Sequence, residues 1–80
     1  MKLPRNISAR DLVHALQKLG YSRTRQKGSH IRLTTLQKGE HHLSVPDHNP
    51  LKPGTLAKTF TLVEHHFQIT RAELMEILFE

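Results

Sequence analysis

The 80-residue chain has no cysteine and no tryptophan, and its aromatics are one tyrosine and three phenylalanines. Without thiols there can be no disulfide framework, no thiolate metal site and no thiol redox chemistry, so apolar packing must supply the stability. Acids are also scarce where they would matter most, since residues 1–38 hold only Asp11. Nowhere do 18 apolar residues follow one another, and the opening MKLPRNISAR lacks the apolar stretch of a signal peptide. We therefore expect a cytoplasmic protein with no membrane association. Repeats, low-complexity tracts and domain linkers are missing as well, which leaves one small domain over residues 1–80 with room for a single core.

What is present is positive charge, unevenly spread. The formal net charge is +5, but residues 1–38 carry nine Lys or Arg against one acid and are +8, whereas residues 39–80 carry three bases and six acids and are −3. Clustered cations of this kind suit an anionic polymer, because they release counterions when they neutralise phosphates. A solvated basic surface is the plainer explanation, and charge alone does not choose between the two.

Periodicity supplies the organisation. Ser8 followed by Asp11 forms a capping-box pattern, and Ala9, Leu12, Val13, Leu16 and Leu19 recur at helical spacing up to Gly20, so residues 8–19 are expected to be helical. In YSRTRQK the period becomes two, which on a regular strand puts Arg23, Arg25 and Lys27 on one face. Gly28-Ser29 then turns the chain into a strand from His30 to Thr35, with Ile31 and Leu33 on one side and His30, Arg32 and Thr34 on the other. A turn at Gly39 leads to a third strand, with Leu43 and Val45 inward and His42 and Ser44 outward. Pro46 ends the sheet, and PDHNPLKPG connects it to a helix over 54–67, where Leu56, Phe60, Val63 and Phe67 form a stripe. Thr70 with Glu73 caps a short last helix. The expected fold is α+β, in the order α-β-β-β-α-α, with a three-stranded antiparallel sheet whose helices pack on one face. Its open face would carry Arg23, Arg25, Lys27, His30, Arg32, Thr34 and His42.

The seven histidines raise the question of metal binding. In His41-His42 and His65-His66, neighbouring side chains diverge on either a strand or a helix, and no HExxH spacing occurs, so we expect no metal and no cofactor. No Ser/His/Asp order or carboxylate pair stands out, and Asp11, Glu40 and Asp47 fall in or beside turns and helix starts, where capping is the simplest role. Phosphate chemistry is the better candidate. RNA carries its own nucleophile in the 2′-OH, and its cleavage needs a group that moves protons near neutral pH and cations that hold the phosphate. His30 has the first property. Lys27 and Arg32 have the second, with Arg25 as a further candidate, and Gly28 would let a phosphate approach the backbone. The GSH tripeptide alone is a weak signal, because a histidine at the start of a strand is more often surface decoration than a catalyst. With Tyr21 as the only aromatic near the open face, recognition would run through phosphate and shape rather than base stacking. The helix start at Lys52-Pro53-Gly54-Thr55 offers a second phosphate-ready site.

The run KGSHIRL (27–33), the third strand ending VPDH (45–48) and LKPGTL (51–56), preceded by a leucine-striped helix that ends in LGY, together resemble the HicA toxins of HicA–HicB toxin–antitoxin modules. The resemblance covers nearly the whole chain, in order. It implies a fold related to double-stranded-RNA-binding domains and a metal-independent endonuclease acting on mRNA. It further implies that His30 of the GSH motif is catalytic and that a HicB-like antitoxin, with a degenerate RNase H-like domain, covers that histidine. On this reading Arg23, Arg25, Lys27, Gly28, Ser29 and Arg32 contact RNA. Leu33, where an aromatic is frequent in the family, and the acidic tail after Thr70 depart from the pattern. One imidazole does not readily serve both proton transfers of a cleavage, which leaves a water, an RNA group or His42 as the second. The alternative is a basic RNA-binding module with no catalysis.

Overall fold

A computed structural model describes residues 6–80 as α1 (Ala9–Leu16) continued by a 3-10 turn (Gln17–Leu19), then β1 (Ser22–Lys27), β2 (His30–Thr35), β3 (His41–Pro46), α2 (Pro53–Phe67) and α3 (Arg71–Phe79). This is the α+β order expected, with the strands antiparallel in the order β1-β2-β3. Lys2 and Arg5, counted in the basic half, lie outside the described residues.

Both capping boxes form as their spacing implies. The Ser8 hydroxyl accepts the Asp11 N–H at 3.0 Å and the Asp11 carboxylate accepts the Ser8 N–H at 3.2 Å; Thr70 and Glu73 repeat the exchange at 3.1 and 2.8 Å. Each satisfies two orphan donors at a helix start. Helix α1 tightens over its last turn and stops at Gly20, whose φ is +81°. A Cβ there would come within 2.7 Å of Gln37 Nε2 and 2.8 Å of Thr35 Oγ1, so both conformation and space require glycine.

The core lies between the sheet and the helices. Ile31 and Leu33 of β2 and Leu43 and Val45 of β3 meet Leu12 and Leu16 of α1, Leu56, Phe60 and Val63 of α2, and Leu74 and Leu78 of α3, all at most 3 % exposed. Burying each such side chain contributes about 1.5–3 kcal/mol. Thr35, fully buried at the end of β2, is satisfied on both counts: its hydroxyl donates to the Leu19 carbonyl at 2.7 Å and accepts the Gln37 N–H at 3.1 Å. The connector after β3 is fastened to the start of α1 by the Ala9 N–H donating to the His48 carbonyl (2.9 Å) and the Leu51 N–H to the Ile7 carbonyl (2.7 Å). With β2 central and anchored on both sides, its alternation fixes which side chains face away from the core.

In two places the fold departs from the expectation. Strand β1 is not regular: Arg23 lies opposite Leu33 and Arg25 opposite Arg32, so Thr24 is an extra residue in a β-bulge. The extra residue shifts the parity, and Arg23 therefore leaves the face of Arg25 and Lys27 and joins that of Gln26, whose Oε1 lies 3.5 Å from its guanidinium. Tyr21, expected near the open face, is 1 % exposed instead. Its ring meets Phe67 edge-on at the end of α2, a contact made with a residue far along the chain.

Candidate functional site

The registers arrange the open face in rows, because residues directly opposite in antiparallel strands share a face. The first row is Lys27, His30 and Pro46; the second is Arg25, Arg32 and Ser44; the third is Thr34 and His42. Thr24 joins the third row through the bulge, its hydroxyl 3.0 Å from that of Thr34. Arg25, Lys27, His30, Arg32, His42, Leu43 and Ser44 line one open depression of about 420 Å³. Arg25, Arg32 and His42 border a second depression, with Thr24, Thr34 and Glu40.

The middle row is electrostatically unusual. Two arginines stand directly opposite, where like charges destabilise a strand pair. Among the described residues the ion pairs are Glu40–His42 and Glu64–Arg71, so no carboxylate offsets Arg25, Lys27 or Arg32. Such a cluster is a ready receptor for a phosphate, whose binding would relieve the repulsion. His30, exposed beside it, makes no side-chain hydrogen bond among the described residues, so both ring nitrogens are open to a ligand. Gly28, at φ +58°, turns the chain between Lys27 and His30, and an added Cβ would meet nothing within 4 Å, so the turn is open to an approaching group.

Of the residues singled out in the sequence, Arg25, Lys27, His30 and Arg32 come together in one depression. Gly28 and Ser29 form the turn above it, and Arg23 is turned away by the bulge. What sequence reading missed is the role of Glu40. Rather than capping a turn, its carboxylate accepts from His42 Nε2 at 2.8 Å, while His42 Nδ1 lies 2.8 Å from the Thr34 hydroxyl. A carboxylate only accepts, so Nε2 donates to Glu40, and in the neutral imidazole Nδ1 is then the acceptor, with Thr34 donating to it. The available signal was parity, since Glu40 stands two residues before His42.

The adjacent His41 has a contrasting setting behind the sheet's end. Its ring stacks on His66 of α2 (centroids 4.3 Å apart, 9° between planes), and its Nδ1 is 2.7 Å from the Tyr21 hydroxyl. His66 Nε2 donates to the Gln37 carbonyl at 2.9 Å. Burial pushes the Tyr21 phenol up to about 12. Burial, and then the neighbouring His66, His42 and His65, lower the His41 imidazole from its ordinary 6.5. Among the described residues no group of three His, Asp or Glu side chains is arranged to hold a metal ion, and no helix is long and apolar enough to cross a membrane.

A helix-backed sheet with a histidine and cations on its open face defines a small α+β domain with one basic surface. A family model described as HicA toxin of bacterial toxin-antitoxin matches residues 9–64, from α1 through most of α2, and the chain belongs to that family. Membership in a toxin–antitoxin family implies an antitoxin partner. Comparisons with curated proteins and with solved structures give no match.

Proposed function

We propose that the chain is a metal-independent endoribonuclease toxin that cleaves mRNA in the cytoplasm and is neutralised by a HicB-like antitoxin. The observation that carries this reading is the convergence of His30 with Arg25, Lys27 and Arg32 in one open depression. The cations hold the phosphate, and their charge offsets the negative charge that accumulates on it in the transition state. His30 exchanges a proton with the reacting oxygens. RNA supplies the nucleophile, so neither a metal nor a cofactor is needed for the step. Gly28 and Ser29 present turn backbone beside the phosphate, and Arg23 contacts RNA only outside this cluster. A partner that covers the open face silences the enzyme, and the unpaired arginines favour an acidic surface on that partner.

The test expresses the wild type and His30→Ala without an antitoxin. Arrested growth and mRNA decay are expected for the wild type alone, with a loss of about 10²–10⁴-fold in cleavage rate for the purified variant. Incubation of the wild type with RNA in EDTA should give the same cleavage as without it. Tight, salt-sensitive binding with no cleavage would instead establish a non-catalytic RNA-binding module, a reading favoured by the finding that no side chain among the described residues hydrogen-bonds His30.

A further inference from the structure

We propose that His42 is the second proton-transfer group of this cleavage, acting through Nδ1 as general base, with Glu40 as its positioning residue and His30 as general acid. The inference rests on the ribonuclease reading above and assigns the step it leaves open.

The sheet register carries the argument. Arg25 and Arg32 occupy the middle row, His30 lies one same-face step to one side of it and His42 one step to the other. A same-face step is about 6.6 Å, so the two histidine Cα atoms stand roughly 13 Å apart or slightly more, with the arginine pair between them. An imidazole side chain plus a hydrogen bond of about 2.8 Å spans most of one step, so a phosphate held in the middle row is within reach of both rings from opposite sides. Both histidines border the same depression. None of the other histidines does: His41, the chain neighbour of His42, points behind the sheet and stacks on His66.

The two rings are prepared differently. Glu40 fixes His42 with its proton on Nε2, which leaves Nδ1 as the proton acceptor, and a hydroxyl already sits at that atom, that of Thr34 at 2.8 Å. A base held in one tautomer by a carboxylate, with a hydroxyl on its free nitrogen, is arranged to take a proton from an alcohol. The RNA 2′-OH either replaces the Thr34 hydroxyl or passes its proton through it. The charged and titratable groups around His42 are Glu40 in the preceding turn, Arg32 on β2, Arg25 on β1 and, through the strand, His41. The step then balances. The 2′-oxygen forms a bond to phosphorus as its proton moves to His42 Nδ1, the bond from phosphorus to O5′ breaks, and O5′ takes a proton from the His30 imidazolium. The products are a 2′,3′-cyclic phosphate end and a 5′-hydroxyl end, with nothing oxidised or reduced.

The experiment measures cleavage of one RNA oligonucleotide by the purified full chain. His42→Ala is expected to cleave about 10²–10⁴-fold more slowly while binding the RNA with little change in Kd. The wild-type rate should be bell-shaped in pH, and the limb on which activity falls toward acid should vanish in His42→Ala. Replacing O5′ by sulfur supplies a leaving group that needs no proton, so this substrate should restore His30→Ala and leave His42→Ala impaired. Glu40→Gln should slow cleavage with little change in Kd, and Glu40→Asp, which keeps the carboxylate, should recover part of the rate, a rescue that a merely structural role would not produce. Wild-type rate and pH profile in His42→Ala, with His30→Ala inactive, overturn this inference and leave the ribonuclease reading standing. No cleavage by the wild type overturns both.

Discussion

The two faces of the sheet differ in how they treat polar groups. On the covered face the buried polar groups have partners: Thr35 serves Leu19 and Gln37, and Tyr21 meets His41. On the open face three cations stand without a carboxylate, two of them directly opposite each other. Natural sheets rarely keep like charges in such pairs unless something else selects for them, because the arrangement costs stability and adds nothing to packing. The difference separates stability from function residue by residue. Along β2, Ile31, Leu33 and Thr35 hold the strand in place, and His30, Arg32 and Thr34 are what it presents.

The sharpest way to break the comparison is Leu33→Ala on the covered face. It should cost about 2–5 kcal/mol, read as a lowered urea midpoint, whereas Arg32→Ala next to it leaves the midpoint unchanged or slightly raised. Next in size is the double variant Arg25→Ala/Arg32→Ala. It should weaken RNA binding, with the slope of log affinity against log salt reduced by about 0.7 for each phosphate that is no longer neutralised. Arg23→Ala, on the other side of the bulge, should change that slope least. Counting alternate residues along RTRQK instead puts Arg23 on the face of Arg25 and predicts comparable effects for the two, so the pair of measurements tests the register itself.

Those outcomes also mark what the sequence could convey. The capping boxes, the stripe of α2 and the alternation of β2 are local patterns, each written within a few residues, and they placed His30 and Arg32 on the open side. The bulge depends on which carbonyls and amides of β2 are available to β1, and nothing within RTRQK encodes that choice. Tyr21 was misplaced for a similar reason: its ring is packed by His41 of β3 and Phe67 of α2, both far along the chain from it. The Glu40–His42 pair requires a turn geometry that parity suggests but does not fix.

The smallest expected effect concerns pH. Because the folded chain holds the His41 imidazole below its ordinary 6.5, the unfolded chain binds the proton more readily. The contribution of His41 to stability is therefore complete above about pH 6.5 and is lost as the pH falls toward the folded-state value. His66→Gln removes one of the charges that disfavour protonation, so the difference between urea midpoints at about pH 7.5 and about pH 5 should shrink.

The bulge in β1 has one more consequence. Strand β1 is the sheet's exposed edge, and all six of its residues are accessible. A flat edge of that length would invite a second strand, from another copy or from an unfolded neighbour. The extra residue at Thr24 interrupts the row of free amides and carbonyls, and Arg23, Arg25 and Lys27 surround it with charge. The irregularity that displaces Arg23 from the open face thus also makes this edge a poor template for strand addition.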